Sequence, residues 1–257
     1  MVVTVNSRSR NRRRPGARLQ FVPPHDVHVW YQATDALDDA AIAAAVSALS
    51  DDERERYGRF HFARDARDYA LAHALLRLTL SRYDDRAPDR WRFDKDAGGK
   101  PALVDPGAFR GSFSLSHAHG MVTCAVMTEG DVGVDVERTD RDVNVGGIAA
   151  RFFAPAETAH LERLDGEARR SRFFDLWTLK EALVKALGTG LATSLASLAF
   201  TVDAGGRISL DAPSDVAALD WQFGLFSPGP RHRLAVAARR TEPGPVQLIF
   251  RSHASRA

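Results

Sequence analysis

Between residues 132 and 137 the chain reads Val-Gly-Val-Asp-Val-Glu, and a strand with this alternation has only one workable orientation. Successive side chains on a strand point to opposite faces, so Val132, Val134 and Val136 share one face while Asp135 and Glu137 share the other. The valines require a core. The two carboxylates, about 7 Å apart along the strand, repel each other unless a cation or water separates them. Mg²⁺ is commonly held by one or two carboxylates together with substrate phosphate oxygens. Taken alone, the pattern also fits a half-exposed strand with acids on its wet face.

A second segment shifts that balance. In Trp177-Thr178-Leu179-Lys180-Glu181-Ala182-Leu183-Val184-Lys185, Trp177, Glu181 and Lys185 are spaced i, i+4, i+8 and form one row on a helix. The row lies beside an apolar stripe of Leu176, Leu179, Leu183 and Leu187, and the helix, expected over about 171–187, stops at Gly188. An exposed Glu-Lys pair would contribute only about 0.3 to 0.5 kcal/mol. The indole in the row and the scarcity of lysine argue for more than solvation. Of 35 basic residues only four are lysines (Lys95, Lys100, Lys180, Lys185), so the compact ammonium is used sparingly.

Two further segments carry polar groups suited to an anion. In Ser114-Leu115-Ser116-His117-Ala118-His119-Gly120, Phe113 and Leu115 are expected inward and the serines on the opposite face. Ser116 and His117 would then be exposed at a turn, where both can bond phosphate oxygens. Zinc is disfavoured because no cysteine or helical histidine pair accompanies them, and His119 reads as a turn residue. Gly98-Gly99-Lys100-Pro101 is a loop in which backbone can approach a ligand closely.

At 257 residues with 44% apolar content, the chain has ample material for one large or two modest domains. No apolar run approaches the length of a membrane span, and the opening stretch lacks an apolar signal core, so a cytoplasmic protein without membrane partners is expected. The single cysteine, Cys124, allows no internal disulfide and reads as a buried strand thiol. Residues 1–20 hold six arginines and no acid, leaving 29 of the 35 basic residues against all 33 acidic ones. A basic tail, read as disordered, therefore precedes a mildly acidic body. Nothing in the body extends the tail into a nucleic-acid footprint.

The expected organisation is the tail at 1–20, α+β subdomains at 21–140 and 141–245, and an extension at 246–257. The first subdomain has a strand at 27–31, a helix at 38–49 and a longer helix with the stripe Tyr69, His73, Leu76, Leu80 and Tyr83. His73 reads there as a packed core histidine. Strands follow near 91–93, 112–116, 122–127 and 132–137. The second subdomain begins with a break at Gly146-Gly147 and a helix opened by Pro155. After helix 171–187, strands are expected near 198–202, 207–210, 221–226 and 233–238.

The ordered set Gly99-Lys100-Pro101, Ser114 to His117, Gly133 to Glu137, Arg151-Phe152-Phe153 and Trp177 to Lys185 resembles the surfactin-synthetase-activating (Sfp-like) type of 4′-phosphopantetheinyl transferase, over residues of about 50 to 192. The resemblance implies an α+β monomeric pseudo-dimer of two similar subdomains with the active site in the cleft between them. It implies Mg²⁺-dependent transfer of phosphopantetheine from coenzyme A to a serine of an apo acyl or peptidyl carrier protein, releasing adenosine 3′,5′-bisphosphate.

Carried over by motif, Asp135, Glu137 and Glu181 would hold the metal, and Lys185 would bind and stabilise phosphate charge. Glu181, or Glu137 through water, would be the general base. Lys100, Pro101, Ser116 and His117 would contact the coenzyme, with Arg56, Arg64 and Arg67 as candidates for its 3′-phosphate and Lys180 supporting from the helix flank. Where relatives often have a basic residue a turn before Arg56, this chain has Glu53, with Arg54 as the nearest substitute. The carrier would dock near 143–164, steered by Arg141, Arg151 and Arg163, with Phe152 and Phe153 in the core. Other readings are a non-catalytic coenzyme A or carrier-binding module and a nucleic-acid-associated protein acting through the tail.

Overall fold

The computed structural model describes residues 23, 25–95, 99–107, 109–190 and 193–253; the tail expected at 1–20, Gly98 and part of the terminal extension lie outside them. The fold is α+β. Its first sheet runs in the order β11 (Gln247–Ser252), β1 (Asp26–Ala33), β5 (Met121–Met127), β4 (Ser112–Ala118). The buried strand β5 pairs antiparallel with both β1 and β4, while β11 lies parallel to β1. Residues 247–252, within the segment expected as a C-terminal extension, are thus a strand of this sheet. A second sheet orders β6 (Asp131–Arg138), β10 (His232–Arg239), β9 (Gln222–Gly229), all antiparallel. Hairpins β2 (Phe93–Lys95) with β3 (Pro101–Leu103), and β7 (Ala199–Val202) with β8 (Ile208–Asp211), stand apart from both.

Strand alternation divides the core into three apolar layers. On β1, Trp30 faces the first-sheet helices, α1 (Asp39–Ser47) and α3 (Ala63–Leu80), where it joins Leu75, Leu76, Leu80 and Cys124. Val27 and Val29 face the other way and meet Val132, Val134, Val136 and Leu234 between the two sheets. Beyond the second sheet, α6 (Gly166–Leu187) buries Leu176, Leu179 and Leu183 against Ala235 and Ala237. The order is helices, sheet, sheet, helix. Cys124 is the buried thiol expected, and burial pushes its pKa up.

Several local features follow from capping. Asp38 accepts from Ala41 N at 2.8 Å to open α1, and Ser50 with Glu53 forms a capping box for α2 (Asp51–Gly58). Gly146-Gly147 is not a break: both lie inside α4 (Val145–Phe152), because Asn144 caps that helix by accepting from Gly147 N at 2.9 Å. Pro155 takes the first position of α5 (Pro155–Glu162), and Gly188 closes α6 with φ 70°, in the left-handed region that favours glycine. Tyr83 lies beyond the end of α3, and His73 is not a core residue, since its side chain is 26% exposed.

Lys180 is fully buried and is a structural group. Its ammonium meets Glu157 Oε2 at 2.7 Å and donates to the carbonyls of Leu195 and Leu198. Glu157 also accepts from Ala154 N and Phe200 N, so one buried ion pair joins α5, α6 and β7.

The contact that sets the second half is between α6 and β6. A β-carbon on Gly133 would stand 1.9 Å from Ala182 O and 2.5 Å from Ala186 N, so helix and strand approach to a distance only glycine allows. The backbone atoms on the helix side have no flexible side chain to yield. Gly133→Ala is expected to cost about 2 to 3 kcal/mol by overpacking and to lower the melting midpoint by about 5 to 10 °C. An unchanged midpoint in a thermal unfolding scan would show that α6 does not rest on this glycine.

Candidate functional site

With its valines turned toward the first sheet, β6 presents Gly133, Asp135 and Glu137 to α6. The helix lies over this face and matches its polar row to the strand residue by residue. Trp177 Nε1 donates to Glu137 Oε1 at 2.9 Å, and Lys185 Nζ meets Asp135 Oδ1 at 2.7 Å. Glu181 lies between them on the row. The alternation on the strand and the i, i+4, i+8 spacing on the helix therefore converge in one site.

The serines of β4 complete it from the first sheet, but not as exposed phosphate ligands. Ser114 and Ser116 are both buried. Ser114 Oγ accepts from Val134 N at 3.1 Å, and Ser116 Oγ accepts from Val136 N at 3.3 Å while donating to Asp135 Oδ1 at 2.8 Å. Lys185 Nζ also donates to Ser116 Oγ at 3.0 Å. The two hydroxyls replace ladder hydrogen bonds and join the edge of the first sheet to the edge of the second.

Electrostatically the acids act on one another. Asp135 is 5% exposed; its Oδ1 takes Ser116 and Lys185, while Oδ2 is buried without a hydrogen-bond partner. Burial pushes the Glu137 carboxyl up to about 7, reinforced by the charge on Asp135 and opposed by Arg141, the Trp177 hydrogen bond and Lys185. Burial likewise raises Glu181, again reinforced by Asp135, with Lys185 opposing.

Among the described residues no group of three or more side chains is already gathered in metal-ligating geometry. The donor chemistry nonetheless fits a hard divalent cation. A buried carboxylate oxygen of Asp135 without a hydrogen-bond partner stands beside two carboxyls that burial, reinforced by the Asp135 charge, drives toward protonation, and oxygen ligands of this kind suit Mg²⁺.

A cavity of about 770 Å³ opens along this site. Glu181 and Lys185 line it from α6, Lys100 and Pro101 from β3 and its approach, and Arg56 and His73 from the first-half helices. Thr193 to Ala196 also contribute, a wall that no pattern in the sequence announced. Glu137 and His117 open instead onto a neighbouring hollow of about 680 Å³, with Arg64, Asp68 and Arg141. Arg56 lines both spaces.

The remaining expected residues are distributed unevenly. Lys100 Nζ donates to Ala186 O at 3.0 Å and to Val132 O at 3.4 Å, tying its loop across β6 and α6. Arg67 is turned away from the main cavity and donates to the carbonyls of Thr34 and Leu37. Arg54 bonds Leu49 O and Asp51. Phe153 is buried and stacks on Phe173, as expected for a core residue, whereas Phe152 is only partly buried and forms part of the cavity wall.

The sequence matches known proteins over both halves. Residues 131–237 match the family described as the 4′-phosphopantetheinyl transferase superfamily, and residues 37–129 match the family described as 4′-phosphopantetheinyl transferase, N-terminal. The chain is 34% identical to the 4′-phosphopantetheinyl transferase HetI of Nostoc sp. over 168 residues, 65% of this chain and 70% of that one. It is 29% identical to the 4′-phosphopantetheinyl transferase Sfp of Bacillus subtilis over 206 residues, 79% of this chain and 88% of that one. Among solved structures, the holo-[acyl-carrier-protein] synthase of Thermotoga maritima aligns at 25% identity over 44% of this chain and 65% of that chain. Its TM-score is 0.38. The chain belongs to the 4′-phosphopantetheinyl transferase superfamily and is of the Sfp-like type.

Proposed function

We propose that this enzyme transfers the 4′-phosphopantetheine arm of coenzyme A to a serine hydroxyl of an apo acyl or peptidyl carrier protein, with Mg²⁺, and releases adenosine 3′,5′-bisphosphate. The observation that carries the reading is the convergence of Asp135, Glu181 and Lys185 beside the 770 Å³ cavity, in a chain of this family. The two halves, each a long helix packed on a sheet, are read as a pseudo-dimer acting as a monomer, with the coenzyme in the cleft between them.

Asp135, Glu137 and Glu181 would hold Mg²⁺, which when bound supplies positive charge to the pyrophosphate oxygens. Lys185 supplies a second cation from the helix. Its ammonium rests on Asp135 and Ser116, and its remaining donor capacity is available to non-bridging phosphate oxygens as charge builds on them. Glu181 lines the cavity and is the carboxylate placed to accept the proton from the attacking hydroxyl, with its basicity reduced while it also holds the cation. Glu137 is fixed by Trp177 and by Arg141 at 3.2 Å and serves as a held carboxylate. In-line positioning of the hydroxyl and the β-phosphorus contributes alongside proton removal. Arg141, Arg151 and Arg163 would steer an acidic carrier toward 143–164.

Intact-mass analysis of an apo carrier protein incubated with the enzyme, coenzyme A and Mg²⁺ should show the gain of one phosphopantetheine arm. Glu181→Ala and chelation should abolish that gain, and Lys185→Met should lower kcat by about 100-fold or more. Coenzyme A binding without transfer to any of several carriers would favour the non-catalytic binding module.

The Glu137 carboxyl gives a pH signature of the same site. Its ordinary value is 4.5 and its folded value about 7, so between them the native state holds a proton that the unfolded state has released. Stability from this group is therefore full at low pH and is lost as pH rises through that window. Without divalent cations, the melting midpoint should fall between about pH 5 and pH 7, and Glu137→Gln should flatten the fall. An equally steep fall in the variant would assign it to other groups.

A further inference from the structure

We propose that His73 is a ligand for a phosphate monoester at the Arg56 end of the main cavity, the kind of group coenzyme A carries on its ribose; the assignment of that ligand rests on the function proposed above. His73 and Arg56 both line the cavity. They are joined by Tyr69: the His73 ring lies 4.1 Å from the Tyr69 ring, centroid to centroid, and the Arg56 guanidinium stands 5.2 Å from that ring on the cation-π contact. Both nitrogen-rich side chains thus line the cavity and pack on the same tyrosine ring.

The orientation of the imidazole is set from behind. His73 Nδ1 is 2.8 Å from Glu53 Oε1, while the other Glu53 oxygen accepts from Arg77 Nε at 2.6 Å and from Ser50 N at 3.1 Å. Burial works to raise the Glu53 carboxyl, but the hydrogen bonds and charges of His73 and Arg77 outweigh it and hold it down at about 2. Against an ionised carboxylate, Nδ1 carries a proton. Nε2 makes no hydrogen bond among the described residues, so it is the ring atom left for a ligand. It can donate only when the ring takes up a second proton, so binding of an anion there should be accompanied by proton uptake.

The surrounding charges favour a dianion. Glu53 of α2, Tyr69 of α3 and His117 of β4 act on His73 directly, while Arg56 stands over Tyr69 and Arg77 on Glu53. Around the cavity stand Lys100, Arg151, Glu181 and Lys185. Glu53 is already neutralised by Arg77, which is 2% exposed and held by the carbonyls of Pro88 and Trp91. With the proton that would be taken up on binding, Arg56 and His73 would together match the charge of a phosphate monoester, about −1.5 to −2. The acid at position 53, where relatives often carry a basic residue, thus acts as the support for a histidine ligand.

Calorimetric titration of the full-length enzyme with coenzyme A and with dephospho-coenzyme A tests this. The wild type should bind coenzyme A about tenfold or more tightly, and His73→Leu should remove about tenfold of affinity for coenzyme A while leaving dephospho-coenzyme A unchanged. Repeating the titration in two buffers of different ionisation heat should show proton uptake in the wild type that is reduced in His73→Leu and in His73→Gln. Melting midpoints near wild type would confirm that the variants fold, and His73→Gln serves if His73→Leu does not. Equal losses for both ligands, no loss for either, or unchanged proton uptake would overturn the assignment. A wild type that transfers the arm yet binds both ligands equally would sink this inference alone; a wild type that binds neither would sink the proposed function with it.

Discussion

The missing side chain at Gly133 is the constraint on which the site depends. Because α6 can lie against β6 there, Lys185 reaches Asp135 and Trp177 reaches Glu137. Any residue with a β-carbon would have to lift the helix, and the shift would be felt along the whole polar row. A buried carboxylate such as Asp135 is costly unless paired and hydrogen-bonded. Lys185 and Ser116 satisfy one of its oxygens, and the other has no hydrogen-bond partner among the described residues.

The serines of β4 hold the two sheets together at the same place. An exposed strand edge invites unwanted pairing, and here the β6 edge is met by hydroxyls instead of by another ladder. Ser116 does two things at once: it accepts from β6 backbone and orients Asp135. The first-half helices and α6 thereby line one cavity, to which Arg56 and His73 contribute from the first half and Glu181 and Lys185 from α6.

Much of this was legible from residue spacing. The valine alternation fixed which face of β6 is core, and the i, i+4, i+8 row fixed which face of α6 is chemical. Where the reading failed, the cause was tertiary. Ser114 and Ser116 look like solvent-facing strand residues until β6 is placed beside them. The glycine pair at 146 and 147 looks like a break until the Asn144 cap is seen to support a helix through it. His73 sits mid-helix on an apolar stripe, between the buried Tyr69 and Leu76, yet its side chain reaches Glu53 of α2 and lines the cavity. The strand at 247–252 pairs with residues more than two hundred positions earlier, and no local pattern encodes such a partner.

Asp135, Glu137 and Glu181 are proposed to form one divalent-cation site beside Lys185. The most direct measurement is an anomalous difference map from crystals of the protein grown with coenzyme A and Mn²⁺ in place of Mg²⁺. The expected result is a single strong peak within about 2.2 Å of Asp135 Oδ2, with a Glu181 or Glu137 oxygen also in its coordination sphere and Lys185 on the same phosphate. Coenzyme A bound in the cavity with no peak at these acids, or with the metal held elsewhere, would contradict it.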